Sequence, residues 1–164
     1  MRTFNARDLR FGGDFEDFEK GDIYRHWPGK TILEADNHLF CLLTMAAHPL
    51  HIDNNFNFAA GSGGVFDRPV VVGSYIYSLL LGMSVPDMSG RAIANLGTTD
   101  LKHLAPVYPG DTLYGESEVI SKRLSQSRPR AGVLTFDTRG FNQDEVVVAS
   151  FRRAVLLARV EPSA

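Results

Sequence analysis

The densest grouping of chemically capable side chains is Thr44-Met-Ala-Ala-His48-Pro49-Leu50-His51-Ile-Asp53. Two imidazoles and a carboxylate this close together suit a general base and a group that orients it. The plainer alternative is a loop whose His and Asp side chains cap backbone groups. No third or fourth ligand stands at a recognisable spacing, so no metal and no cofactor are expected. A second candidate is Gly73, at the head of an apolar segment. A helix N-terminus there offers unsatisfied N–H groups and the positive end of a dipole to a developing oxyanion on a carbonyl or thioester. Glycine also lets a ligand come close to the backbone, although it equally fits a tight strand-to-helix corner. A third is Lys122-Arg123-Leu-Ser-Gln-Ser-Arg128-Pro-Arg130, four cations in nine residues. Such a run either grips phosphates or forms a solvated loop. The chain has no P-loop, and Gly61-Ser-Gly-Gly64 lacks the spacing of a dinucleotide fingerprint.

These groups need a scaffold. Thr31-Ile-Leu-Glu34 has capping-box spacing, with Asp36 as an alternative cap, and Leu39, Phe40, Leu42, Leu43 and Met45 recur at helical spacing as far as Ala47. Pro49 prevents continuation. Segment 48–70 reads as loop with a short helix around 54–60. Ser74–Met83 is apolar on nearly every side, which predicts a helix buried all round and ended by Pro86 and Gly90. Downstream the period changes to that of strands. Ala92–Leu96 and Lys102–Leu104 are short, Leu113–Ile120 is stronger, and Gly132–Phe141 and Val146–Val160 are joined by the polar turn Asn142-Gln-Asp-Glu145. A first strand falls in roughly 21–32, after a partly ordered lead-in over 1–20, and 161–164 is a tail. The reading is one α+β domain, residues 21–160, with an antiparallel sheet covering a central buried helix.

Composition narrows the partners. Of 164 residues, 44% are hydrophobic and 22% charged, which is globular and not disordered. Seventeen Lys and Arg against nineteen Asp and Glu give a net charge of −2, against a nucleic-acid binder, which needs a basic surplus. The single cysteine, Cys41, permits no internal disulfide, so a reducing cytoplasm is expected. No apolar run approaches a membrane span, and the first residues lack the apolar core of a signal peptide.

Four stretches together carry a resemblance that covers about Phe15 to Val160. They are Glu34-Ala-Asp36 with Phe40, His48-Pro-Leu-His51-Ile-Asp53, Pro69-Val-Val-Val-Gly73, and Ala105-Pro-Val-Tyr-Pro-Gly-Asp111-Thr-Leu113. With them the chain resembles the MaoC-like dehydratases, also called (R)-specific enoyl-CoA hydratases, which have a hotdog fold. Leu43–His51, Ile93-Ala-Asn-Leu-Gly97 and Ser125-Gln-Ser-Arg-Pro129 make it similar to a subgroup acting on C5 dicarboxylic CoA esters such as mesaconyl- or itaconyl-CoA. The family's motif, Ser/Thr-Gly-Asp-x-Asn-Pro-x-His-x-Asp, puts its catalytic histidine on His51, its trailing Asp on Asp53 and its Asn on His48. Its catalytic Asp falls on Ala46, a departure that the subgroup tolerates.

The resemblance implies reversible hydration of a 2-enoyl-CoA to a hydroxyacyl-CoA. His51 is the expected acid/base, His48 or Asp53 the second group, and Gly73 N–H the donor to the thioester carbonyl. Arg68, Arg91 or His48 is expected to meet a second substrate carboxylate, and Arg123, Arg128 and Arg130 the coenzyme's phosphates. It also implies a homodimer with its sites at the interface. The rivals are a thioesterase of the same fold, although Gly73–Ser84 has no carboxylate, and a non-catalytic acyl-CoA or acyl-carrier-protein binder, for which Ala46 speaks.

Overall fold

Alternation of apolar and polar residues over 131–141 and 147–158 builds two long strands that pair through their whole length, Ala131 opposite Ala158 and Phe141 opposite Val147. Around this hairpin the rest of the sheet assembles in the computed structural model, which describes residues 1–5 and 11–160. The tail at 161–164 and part of the lead-in lie outside the described residues. The strands are β1 (Thr3–Asn5), β2 (Ile23–Arg25), β3 (Lys30–Thr31), β4 (Ala92–His103), β5 (Thr112–Leu124), β6 (Ala131–Phe141) and β7 (Val147–Ala158). They run in the order β1-β2-β5-β6-β7-β4, with β3 also on β5. Every pair is antiparallel except β1 with β2, so the sheet is mixed.

The helices are α1 (Glu34–Thr44), α2 (Pro49–Ile52), α3 (Phe58–Gly61) and α4 (Gly73–Ser84). The sheet wraps around α4, as expected. Gly115 and Gly140 face each other across β5 and β6 and form a flat seat for Leu80, which is fully buried. A Cβ on Gly140 would fall 2.3 Å from Leu80 Cδ1, so any larger residue there collides with the helix. α4 is not buried all round: Ile76, Leu80 and Ser84 face the sheet, whereas Ser74, Ser78 and Gly82 are exposed along one stripe. Pro86 does not end the helix either, since a π-helical turn over Val85–Ser89 continues it.

That turn is tied to the sheet by buried polar groups. His26 Nδ1 meets Asp87 Oδ2 at 2.7 Å, and its Nε2 meets Ser117 Oγ at 2.8 Å. Arg153 donates to the hydroxyls of Ser84 and Ser89. The stretch read as lead-in also contributes to the core: Phe15 and Phe18 are buried against Tyr24, Met88 and Leu134.

Four local expectations are corrected. The first strand is two short ones, β2 and β3. Thr31 does not cap α1; its hydroxyl bonds Thr112 Oγ1 at 2.7 Å, and Asp36 Oδ2 instead accepts the Leu33 N–H at 2.9 Å. α1 stops at Thr44, where Met45 turns left-handed at φ 59°, three residues before Ala47. Ala92–Leu96 and Lys102–Leu104 belong to a single strand, β4. Its pairing with β7 shifts register between Ala92 and Ala94, Asn95 and Gly97, and Thr99 and Lys102, and each shift breaks the period of two in the sequence.

Candidate active site

The segment Pro69–Val72 enters α4 as extended chain, and three different neighbours hold it. Val70 N–H donates to Leu50 O at 3.2 Å, Val71 N–H to Val107 O at 2.8 Å, and Val72 N–H to the Asn37 Oδ1 side chain at 3.0 Å. The next N–H, that of Gly73, meets no acceptor among the described residues, as the first turn of a helix requires. Gly73 and Ser74 thus present free N–H donors at the positive end of α4 among the described residues. The His103 imidazole, at the end of β4, stands over the same glycine: a Cβ on Gly73 would lie 2.7 Å from its Nε2.

His51 is fixed from both sides. Its Nδ1 lies 2.9 Å from the Val70 carbonyl, and only a protonated Nδ1 can bond a carbonyl oxygen. Nε2 is therefore the ring atom left to exchange a proton. From α1, buried Asn37 donates its amide to His51 O at 2.8 Å while its Oδ1 holds Val72. His38 Nε2 reaches Ile52 O at 2.9 Å. One helix face thereby sets both the histidine and the entry to α4. Neither Asn37 nor His38 stands out in the sequence, because the apolar residues at helical spacing, Leu39, Leu42 and Leu43, are exposed while Asn37 and Cys41 are the buried residues of α1. Burial raises the Cys41 thiol above its ordinary pKa.

His48 is the N-cap of α2, and its Nδ1 accepts the Leu50 N–H at 3.1 Å. What it can present outward is the Nε2–H donor. Its ring centre lies 6.2 Å from that of His51. Asp53, at the other end of α2, accepts the Asn55 N–H at 2.8 Å. Both are exposed. Ala46 brings no polar group.

His51 lines a cavity of about 190 Å³ with Glu34, Asn37, His38, Asn54, Arg68, Pro69 and Pro109. The Arg68 guanidinium lies over the Tyr108 ring, 4.2 Å from its centre, and has no ion-pair partner among the described residues. Tyr108 is held in a tight loop in which Asp111 Oδ2 accepts its N–H and Gly110 adopts φ 100°, a conformation that disfavours any side chain. Arg91 is elsewhere, paired with Asp14 at 3.0 Å. Arg123, Arg128 and Arg130 flank two shallow hollows at the β5–β6 turn, beside Ile93, Ala94 and Leu96 of β4. β5 separates that turn from Pro109 and the His51 cavity by thirteen residues, about 40 Å of strand. Among the described residues, no group of three or more His, Cys, Asp or Glu is placed to hold a metal ion. No helix there is long and apolar enough to cross a membrane.

Comparison with known proteins places this geometry among relatives. The profile of the mesaconyl-CoA hydratase family matches residues 4–164. A mesaconyl-CoA hydratase of Cereibacter sphaeroides is 34% identical over 153 residues, which cover 93% of this chain and 43% of that protein. The solved structure of a MaoC-domain dehydratase from Chloroflexus aurantiacus superposes with a TM-score of 0.84 at 33% identity, over 93% of this chain and 42% of that one. A Mycobacterium tuberculosis protein described as a double hotdog fold superposes at 0.68 and 24% identity, over 93% of this chain and 47% of that one. The chain thus spans less than half the length of these relatives.

Proposed function

The chain belongs to the mesaconyl-CoA hydratase family and has its hotdog fold, and on that premise we propose that it hydrates a 2-enoyl-CoA thioester reversibly to a hydroxyacyl-CoA. The observation that carries the reading is His51, its Nδ1 committed to the carbonyl of Val70, three residues before the free Gly73 N–H, and its Nε2 left to exchange a proton. Attack of water on the β-carbon sends the π electrons into the thioester, and the resulting enolate oxygen is where a preorganised N–H acts most strongly. His48 Nε2–H is a further donor for the water or the new hydroxyl, and Asp53 closes the end of α2 through its backbone N–H on Pro49 O.

Arg68, stacked on Tyr108 and without an ion-pair partner among the described residues, suits a second carboxylate on the acyl group, because a stacked guanidinium keeps its fork free for bidentate bonding. The acyl chain is then a short branched dicarboxylic one such as mesaconyl or itaconyl. Arg123, Arg128 and Arg130 suit the coenzyme's phosphates, but not those of a thioester bound at His51 in the same chain, since β5 holds them too far away. A second copy removes the difficulty. β4 is a twelve-residue edge strand with an open side. Antiparallel pairing of two β4 strands about a twofold axis brings the partner's Ala92 end, beside its basic turn, toward this chain's His103 end, beside Gly73. The assembly is a homodimer, and the cytoplasm is its expected compartment, on the single buried thiol of Cys41.

The test mixes purified protein with crotonyl-, mesaconyl- and itaconyl-CoA and follows the ultraviolet band of the conjugated double bond. Loss of the band without free thiol is the expected result, fastest with a dicarboxylic substrate. Thiol release would identify a thioesterase instead, and binding without turnover would mean a retired site.

A further inference from the structure

Hydration of a conjugated thioester moves two protons: one leaves water as its oxygen bonds the β-carbon, and one reaches the α-carbon of the enolate. One imidazole does both only in sequence, so a second proton-exchanging group in the same cavity changes the chemistry available. The cavity beside His51 has one. Glu34, the first residue of α1, lines it, and its Oε1 accepts the Asn54 amide at 3.2 Å, so the carboxylate is held by the loop that follows α2. The other titratable or charged groups lining the cavity are His38, His51 and Arg68. His38 bonds Ile52 O through Nε2, which leaves its Nδ1 as the alternative base that an unaffected E34Q would point to, and Arg68 cannot act as a base. On the elements around the cavity, Asp36 is paired with Lys30, and His48 and Asp53 do not line it.

We infer that Glu34 is a second catalytic residue, the base that takes the proton from the attacking water. This rests on the hydratase reading above. As the water oxygen bonds the β-carbon, its proton passes to the Glu34 carboxylate and the π electrons move to the thioester oxygen. The enolate then takes a proton at the α-carbon from His51 Nε2–H, and the proton on Glu34 returns to the His51 imidazole through solvent, which restores both groups. Dehydration runs the same steps backward.

The experiment measures kcat, KM and the pH profile of kcat/KM for hydration by the intact protein, using whichever thioester of the panel it turns over best, with E34Q, E34D and H51N beside the wild type. Glu34→Gln keeps an oxygen for the Asn54 amide and removes only the ability to take a proton. The expected result is a drop in kcat of about 10²–10³ with KM within about threefold, and loss of the limb that rises from acid pH. Glu34→Asp keeps that limb at reduced rate, and it stands in should E34Q fail to fold by circular dichroism. An active wild type with E34Q within about threefold and the acid limb intact overturns the role of Glu34 and leaves the hydratase reading standing. A wild type and H51N that are equally silent on every thioester overturn the hydratase reading, and Glu34 with it.

Discussion

Replacing Gly73 by alanine separates the chemistry of its N–H from its structural role. The new Cβ would lie 2.7 Å from His103 Nε2, 2.8 Å from Cε1 and 3.1 Å from Cδ2. Comfortable contacts begin near 3.5 Å, so the ring must withdraw by roughly 1 Å. His103 is exposed at the end of an edge strand and its side chain makes no hydrogen bond among the described residues, so that withdrawal is cheap. Alanine is also the better helix former, by about 1 kcal/mol in a helix interior and less in the first turn. The two effects oppose each other, and the expected net change in stability is under about 1 kcal/mol, or less than about 4 °C in Tm for a domain of this size. Activity is expected to change far more. A methyl beside the free Gly73 N–H at the head of α4 keeps the thioester oxygen from it, and loss of one such donor costs about 10²–10³ in kcat. The assay is hydration of the best thioester by G73A, H103A and the double variant, each with a melting curve. G73A with normal melting and a rate within about threefold of wild type would refute the argument that this N–H polarises the substrate. An equal loss in H103A alone would move the role from the amide to the imidazole.

Two further outcomes concern the scaffold. His26→Ala leaves the Asp87 carboxylate buried without its partner, and such a break costs about 3–5 kcal/mol. The expected fall in Tm is about 6–20 °C, whereas Asp87→Asn, which removes the charge and keeps an acceptor, costs less; equal losses in the two variants would count against an ionised Asp87. Asp36 is held below the usual carboxylate range, first by the Lys30 hydrogen bond and then by the Leu33 N–H. A depressed folded pKa adds stability above the unfolded value of about 3.9, and that stability is lost as pH falls through the folded value. Asp36→Asn is therefore expected to unfold at lower denaturant than wild type at about pH 7 and at the same denaturant near pH 2; a gap of equal size at both would sink the argument.

Much of the scaffold is written in local periodicity. The apolar run after Gly73 specifies the central helix, the alternation over 131–141 and 147–158 specifies the hairpin beside it, and their order alone dictates an α+β domain with the sheet around that helix. The clustering of His48, His51 and Asp53 and the placement of Gly73 at a helix start are likewise visible in the chain, because each depends on neighbours within a few residues. β4 escaped because three register shifts each reset the period that marks a strand. Thr31 failed as a cap because its hydroxyl is taken by Thr112, eighty-one residues away. What the site can do was decided at similar range. Val70 selects the His51 nitrogen that stays available, Asn37 joins His51 to the entry of α4 across thirty-five residues, and Tyr108 holds Arg68 over its ring beside the cavity while Asp14 occupies Arg91. Glu34 and Asn54, twenty residues apart, meet only because α1 and the loop after α2 pack together. Hydrogen bonds select tautomers and free donors one partner at a time, and spacing along the chain does not encode a partner that folding brings from elsewhere.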